Sequence, residues 1–243
     1  MAADHWRQTE YDLRCEWGAP GVEALAPVSD VLIVVDVLVF STCVDVAVSR
    51  GAAVLPYRWR DASGEGYARS KSALLAAHRR AGGYTLSPPS LASIPAGTAL
   101  VLPSPNGSAL CTIATGCATL TACLRNSAAV AAEARLRGSR IAVIPAGEQW
   151  RDGSLRPSVE DLIGAGAVLA HLPGRPSPEA ETAVAVFERF RNSLYDALLR
   201  STSGKELVGR GFACDVEMAA EWNVSGTAPL LREDRFVDAA KPG

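Results

Sequence analysis

Apolar residues in this chain fall in short unbroken runs, each followed by a polar or glycine-bearing segment and then by a stretch with helical spacing. The run Val31-Leu32-Ile33-Val34-Val35-Asp36 shows no alternation, the pattern of a parallel strand covered on both faces. Similar runs predict strands over 52–57, 98–102, 119–124 and 140–145, and a weaker one predicts an edge strand over 11–17. Helical spacing predicts helices from Ser41 to about residue 50, over 61–82, from Ser108 to about residue 115, over 128–137 behind a Ser127 cap, from near Ser158, and over 179–200. Ser203 and Glu206 have the spacing of a capping box for a short helix, and Asp215 can cap another that runs to about residue 222. The proline-rich segment 86–91 is expected to be a loop, and 230–237 a last hairpin or an edge strand.

Strands alternating with helices predict an α/β fold with a parallel or mostly parallel sheet. The right-handed crossover rule then gathers every strand C-terminus on one edge. A length of 243 residues suits one large domain or two small ones. A single α/β domain over 1–243 is the expectation, with a hinge or surface loop at 173–178, where Pro173, Gly174, Pro176 and Pro178 cluster. The apolar face of the 179–200 helix suits either a cover for the sheet or a homodimer.

A formal net charge of −2 gives no electrostatic case for binding nucleic acid or an anionic membrane surface. No apolar run approaches the length of a bilayer span, and the first residues lack the apolar centre of a signal peptide. The expected location is the cytoplasm. The six cysteines show no Cys-x-x-Cys pair and no histidine at zinc spacing, so they are expected to be buried thiols in a reducing compartment. No phosphate-binding loop, dinucleotide fingerprint or nucleophile elbow occurs.

In open α/β sheets, ligands bind at the C-terminal edge. The loops expected there carry Asp36, then Ser104, Asn106, Gly107 and Ser108, then Arg125 and Asn126, then Gly147 and Glu148. Carboxylates, arginines, small hydroxyls and glycine-flanked helix starts suit a divalent cation together with a phosphate-like anion. Structural roles compete at several positions. Pro105-Asn106-Gly107 is an ordinary turn sequence, and Ser158 with Asp161 fits a capping box, so Glu160 and Asp161 divide between helix and metal. Glu148 has less structural work open to it. His5, His78 and His171 lie outside all these loops, which argues against histidine chemistry.

Taken in order, these residues resemble a known family. The segments are Val34-Val35-Asp36-Val37-Leu38 with Ser41 and Thr42; Ser104-Pro105-Asn106-Gly107-Ser108; Arg125-Asn126; Pro145-Ala146-Gly147-Glu148; Glu160-Asp161 with Ala165-Gly166-Ala167; and Gly211-Phe212 with Asp215-Val216. Over roughly residues 30–230 they resemble the 2-phosphosulfolactate phosphatase family. The resemblance implies a three-layer α/β/α fold and a Mg²⁺-dependent phosphatase. Its reaction would convert 2-phospho-3-sulfolactate to 3-sulfolactate and phosphate, a step in coenzyme M biosynthesis. On that basis Asp36 and Glu148 would hold Mg²⁺, with Glu160 or Asp161 as a further carboxylate. Backbone N–H groups at 106–108 and at Ser41 and Thr42 would bind phosphate oxygens, beside Ser104 and Asn126. Arg125 would neutralise developing charge. The family pattern has Arg where this chain has Val39, and Gly-Asn-Ser-Pro where it has Leu86-Ser87-Pro88-Pro89-Ser90. Arg156, Arg151 or Arg125 would then replace the lost cation. Another small phosphorylated hydroxy acid as substrate, and a binding protein without turnover, remain as alternatives.

Overall fold

The computed structural model describes residues 4–59, 61–79 and 81–241. Residues 1–3 and Arg80, part of the expected 61–82 helix, lie outside them.

In chain order, the first half is β1 (Leu13–Cys15), α1 (Gly18–Leu25), β2 (Val31–Val35), α2 (Phe40–Ser49), β3 (Ala53–Tyr57), α3 (Ser63–Ser70), β4 (Leu74–Leu75), α4 (Pro88–Leu91), β5 (Ala99–Pro103) and α5 (Gly107–Ile113). The second half is β6 (Ala118–Ala122), α6 (Ser127–Arg135), β7 (Ile141–Pro145), β8 (Glu148–Gln149), β9 (Leu155–Arg156), α7 (Val159–Leu169), α8 (Pro178–Phe190), α9 (Leu194–Arg200), α10 (Thr202–Gly209), α11 (Ala213–Ala219), β10 (Pro229–Arg232) and β11 (Arg235–Asp238). β8 and β9 form a small hairpin of their own, and the other nine strands form one mixed sheet in the order β1-β7-β2-β6-β10-β11-β3-β5-β4. Every residue of β2 and of β7 is buried, so helices cover the sheet on both faces there.

The sheet departs from the expected uniform direction. β1, β7, β2 and β6 pair in parallel, as do β3, β5 and β4. The β10–β11 hairpin sits between these blocks and pairs antiparallel to each, so the two blocks run in opposite directions. The last hairpin is therefore a central bridge rather than an edge, and strand direction alone does not gather all the C-termini. Curvature brings some of them together. Five strand spacings separate β2 from β5, about 24 Å in a flat sheet, yet the Gly107 N–H after β5 donates to Asp36 after β2 at 2.9 Å. The hairpin meets β6 through the pair Leu230–Leu120 and β3 through Phe236–Val54. Ladders that short let the blocks turn about it.

Other differences are local. The expected 61–82 helix stops at Ser70, because Ser72 takes a left-handed φ of 50° and the chain turns so that Leu74 and Leu75 pair with β5. The 179–200 helix breaks after Phe190, at Asn192 and Ser193, whose side chains compete with helix geometry. Its first part, α8, lies against α7. A Cβ on Gly166 would stand 2.0 Å from the Ala183 carbonyl, so only glycine allows that approach. The 86–91 loop contains the one-turn helix α4.

Helix caps also differ. Ser201, not Ser203, caps α10 by accepting the Gly204 N–H at 3.0 Å. The Asn223 side chain caps α6 from a distance, accepting the Ala128 N–H at 2.9 Å. Asp215 lies inside α11, where it accepts from Arg79 and Ser87 instead of capping. Helix α1 and the β8–β9 hairpin are unanticipated. Of the cysteines, Cys15, Cys43, Cys111 and Cys123 are buried, Cys117 is half-buried and Cys214 is exposed. Among the described residues no helix is long and apolar enough to cross a membrane.

Candidate active site

Asp36 follows β2 directly and is 4% exposed. Its Oδ1 accepts the Phe40 N–H at 3.1 Å, and its Oδ2 accepts the Gly107 N–H at 2.9 Å. Position 107 requires glycine: a Cβ would lie 2.4 Å from the Phe40 ring and 2.8 Å from Asp36 Oδ2. Asp161 stands in the first turn of α7 and is tied in the same way. Its oxygens accept the Val37 N–H at 2.8 Å and the Gly147 N–H at 2.9 Å. Gly147 reaches it through a left-handed turn with φ +69°, a conformation that a side chain would strain. Asp161 thus joins the exits of β2 and β7, and neither it nor Glu160 supplies the capping box that the Ser158 spacing suggested.

Glu148 opens β8, opposite Arg156 on β9, and its Oε2 accepts from the Asn106 side-chain amide at 2.8 Å. Glu160 is 2% exposed and makes no hydrogen bond or ion pair among the described residues. The four carboxylates act on one another. Burial, then the charges of Glu148 and Glu160, push Asp36 up to about 7 against the two backbone N–H groups that favour its charged form. Burial holds Asp161 well above the ordinary range, with Asp36 and Glu160 adding to the effect. Glu148 is raised by burial, while Asn106 and Arg156 pull it down. Among the described residues none of the four carboxylates has a cation within ion-pair distance.

Glu148 and Asn106 open onto a cavity of about 380 Å³. Glu23 of α1, Arg58 after β3, and Gln149 and Leu155 of the small hairpin contribute to its walls. Arg58 and Glu23 escaped the sequence analysis. The available signal for Arg58 was its place directly after a strand, the criterion that singled out Asp36.

Of the other expected site residues, Ser41, Thr42 and Ser108 are fully buried and face inward. Ser41 Oγ accepts the Asp36 N–H at 2.9 Å and bonds Thr121 at 2.7 Å. Thr42 donates to the Val37 carbonyl at 2.8 Å, and Ser108 to the Leu102 carbonyl at 2.9 Å. Ser104 is buried, and its N–H donates to the Tyr57 carbonyl at 3.0 Å. These groups hold loops in place. Arg125 is paired elsewhere, with Asp45 at 2.9 Å and with Glu221. Asn126 Oδ1 accepts the Cys123 N–H at 2.9 Å, closing the turn after β6.

Among the described residues no three His, Cys, Asp or Glu side chains gather as a metal-ligand group. Mg²⁺ does not require one, since one or two carboxylates with water and substrate oxygens suffice. Glu148 and Glu160 fit that demand. Asp36 and Asp161 already hold a backbone N–H on each oxygen, whereas Glu160 is a buried carboxylate without a hydrogen-bond or ion-pair partner among the described residues. An uncompensated buried charge is costly, and a divalent cation would answer it.

Comparison with known proteins gives the family. A family model described as 2-phosphosulpholactate phosphatase matches residues 22–234. A protein of Methanothermobacter thermautotrophicus named 2-phosphosulfolactate phosphatase is 33% identical over 214 residues, which cover 86% of this chain and 89% of that protein. Asp36, Asn106, Gly107, Glu148, Glu160 and Asp161 all fall inside the matched segment, and with that match the chain belongs to the 2-phosphosulfolactate phosphatase family.

Proposed function

We propose that this protein is a Mg²⁺-dependent phosphatase that hydrolyses 2-phospho-3-sulfolactate to 3-sulfolactate and phosphate. Four carboxylates with no cation within ion-pair distance among the described residues, one of them on a cavity lined by Arg58, support the reaction class, and family membership supports a phosphatase acting on a small phosphorylated acid.

Glu148 and Glu160 would hold Mg²⁺, with Asp36 adding negative charge beside them. When bound, the ion would polarise the phosphoryl oxygens and neutralise charge on them. Asn106 fixes the Glu148 carboxylate through its amide. Arg58 and Arg156, at the rim and on the hairpin, bind phosphoryl oxygens as the substrate enters. Asp161 is a positioning residue that keeps the β2 and β7 exits together. Arg125 has no part in this scheme, since Asp45 and Glu221 engage its guanidinium. A water attacks phosphorus, the ester P–O bond breaks, and the hydroxyl oxygen of the product leaves with a proton.

Val39 is apolar and buried, so no cation at that position reaches the acid end of the substrate. This favours a panel over a single assay. The test is phosphate release from 2-phosphosulfolactate and other phosphorylated small acids, with Mg²⁺ and with EDTA. Release from 2-phosphosulfolactate that EDTA abolishes is the expected result. Mg²⁺-dependent release from other esters alone would keep the chemistry and discard the substrate. Turnover in EDTA would discard the metal, and binding without release would leave a ligand-binding protein.

A further inference from the structure

A larger cavity of about 600 Å³ lies beside the first, on the other side of the β3 and β5 exits. Arg58 and Asn106 line the smaller cavity, while Trp59 and Pro103 line the larger. The large cavity holds none of the four carboxylates. Among the described residues its lining carries Arg79, Arg210 and the His78 imidazole against one acid, Asp61. The Asp61 carboxylate is engaged by Ser63, whose N–H it accepts at 2.9 Å. Arg79 is fixed from behind: Asp215 and Ser87 bond to each other and Asp215 holds the guanidinium, which lies 4.7 Å from the Phe212 ring centroid. Arg210 and His78 make no side-chain hydrogen bond or ion pair among the described residues. The remaining wall is apolar and aromatic, with Leu86, Phe212 and a Trp59 that is 52% exposed.

We propose that this cavity, bounded by Trp59, His78, Arg79, Leu86, Arg210 and Phe212, is a second ligand site that takes a ring-bearing organic anion. Arg210, with no acid at ion-pair distance among the described residues, calls for a negative group. Arginine presents a planar fork suited to carboxylate, sulfonate or phosphate. Arg58 lies over one face of the Trp59 indole, 4.6 Å from its centroid, so the half-exposed ring offers its other face to a flat ligand ring. The volume is that of a drug-sized ligand, well beyond a phosphorylated three-carbon acid. The anion would lie against Arg79 and Arg210 and its ring against Trp59.

Naphthalene-1-sulfonate serves as a probe that no phosphatase can hydrolyse, with methanesulfonate as the ringless control. Binding is followed by calorimetry on the full chain. The naphthyl compound is expected to bind and methanesulfonate to bind far more weakly. Arg210→Gln and Trp59→Leu each weaken the naphthyl compound roughly tenfold or more, the loss of one charge-assisted or stacking contact. Both residues are at the surface, so these variants fold. Glu148→Gln leaves probe affinity unchanged, although the phosphatase assay above would register its loss, so the two proposals fail separately. Equal binding of methanesulfonate, unchanged affinity in both cavity variants, or a loss confined to Glu148→Gln would each overturn the second site.

Discussion

Two sets of buried carboxylates lie in this molecule, and they are treated oppositely. Asp45 is fully buried, yet Arg125 bonds it at 2.9 Å and the Ser225 hydroxyl at 2.6 Å. Asp215 likewise has Arg79 and Ser87. Asp36, Asp161 and Glu160 are equally buried and meet no cation among the described residues. Two of these are held by backbone N–H groups, and the third has no hydrogen-bond partner among the described residues. A folded chain that supplies cations to some buried acids and withholds them from others marks the second set as awaiting a charge from outside. Glu148, next to this second set, is the one of the four site carboxylates that lines the cavity among the described residues.

The comparison breaks or sharpens under mutation. The largest effect is expected from Arg125→Met, which strands Asp45 without its cation and costs about 3–5 kcal/mol of stability. Urea denaturation measures it, and a loss below about 1 kcal/mol would show that Asp45 was not held by that pair. Asp161→Ala comes next. It orphans the Val37 and Gly147 N–H groups, at about 1–3 kcal/mol each. Because it also frees the β2 exit from the β7 exit, turnover falls with stability. An unchanged denaturation midpoint would remove its positioning role.

Glu160→Gln should behave in the opposite way. With no partner to lose and one buried charge removed, the metal-free protein is expected to keep or gain stability, while phosphate release falls roughly a hundredfold or more. If Glu160→Gln and Arg125→Met destabilise alike, the division into compensated and uncompensated acids is wrong.

The pH dependence follows the same division. Asp36 titrates near 7 when folded, against an ordinary carboxylate value of 3.8, so between those values the folded state binds more protons than the unfolded one. Stability of the metal-free protein therefore falls as pH rises from about 4 to about 7 on account of this group. Stabilisation by Mg²⁺ should accordingly be larger at pH 8 than at pH 5, as denaturation midpoints with Mg²⁺ and with EDTA would show. Equal midpoint shifts at both pH values would separate the metal from Asp36. The smallest effect is a control outside both sets: Ser177→Ala removes the α8 cap, which accepts the Ala180 N–H at 3.2 Å, and costs about 1 kcal/mol without touching turnover.

Much of the fold was legible in the chain because it is written in local periodicity. The central strands β2, β3, β5, β6 and β7 fall within a residue or two of their predicted places, since an unbroken apolar run bounded by polar turns has few other uses. Asp36 and Glu148 could be picked out as polar residues directly after such runs, and Gly107 as part of a turn that needs glycine. Patterns that depend on distant partners were not legible. Ser41, Thr42 and Ser108 have the composition of a phosphate cradle, yet they turn inward, because buried hydroxyls next to free backbone carbonyls bond to those first. Arg125 looked catalytic until its neighbours Asp45 and Glu221, 80 and 96 residues away, were in place. The direction of the sheet rests on a C-terminal hairpin that inserts between two parallel blocks. No periodicity encodes such an insertion, because strand pairing depends on which edges remain open once everything else has folded. Local spacing thus identified the strands and most of the carboxylates, whereas long-range pairing decided which charges were neutralised and so which ones were left for chemistry.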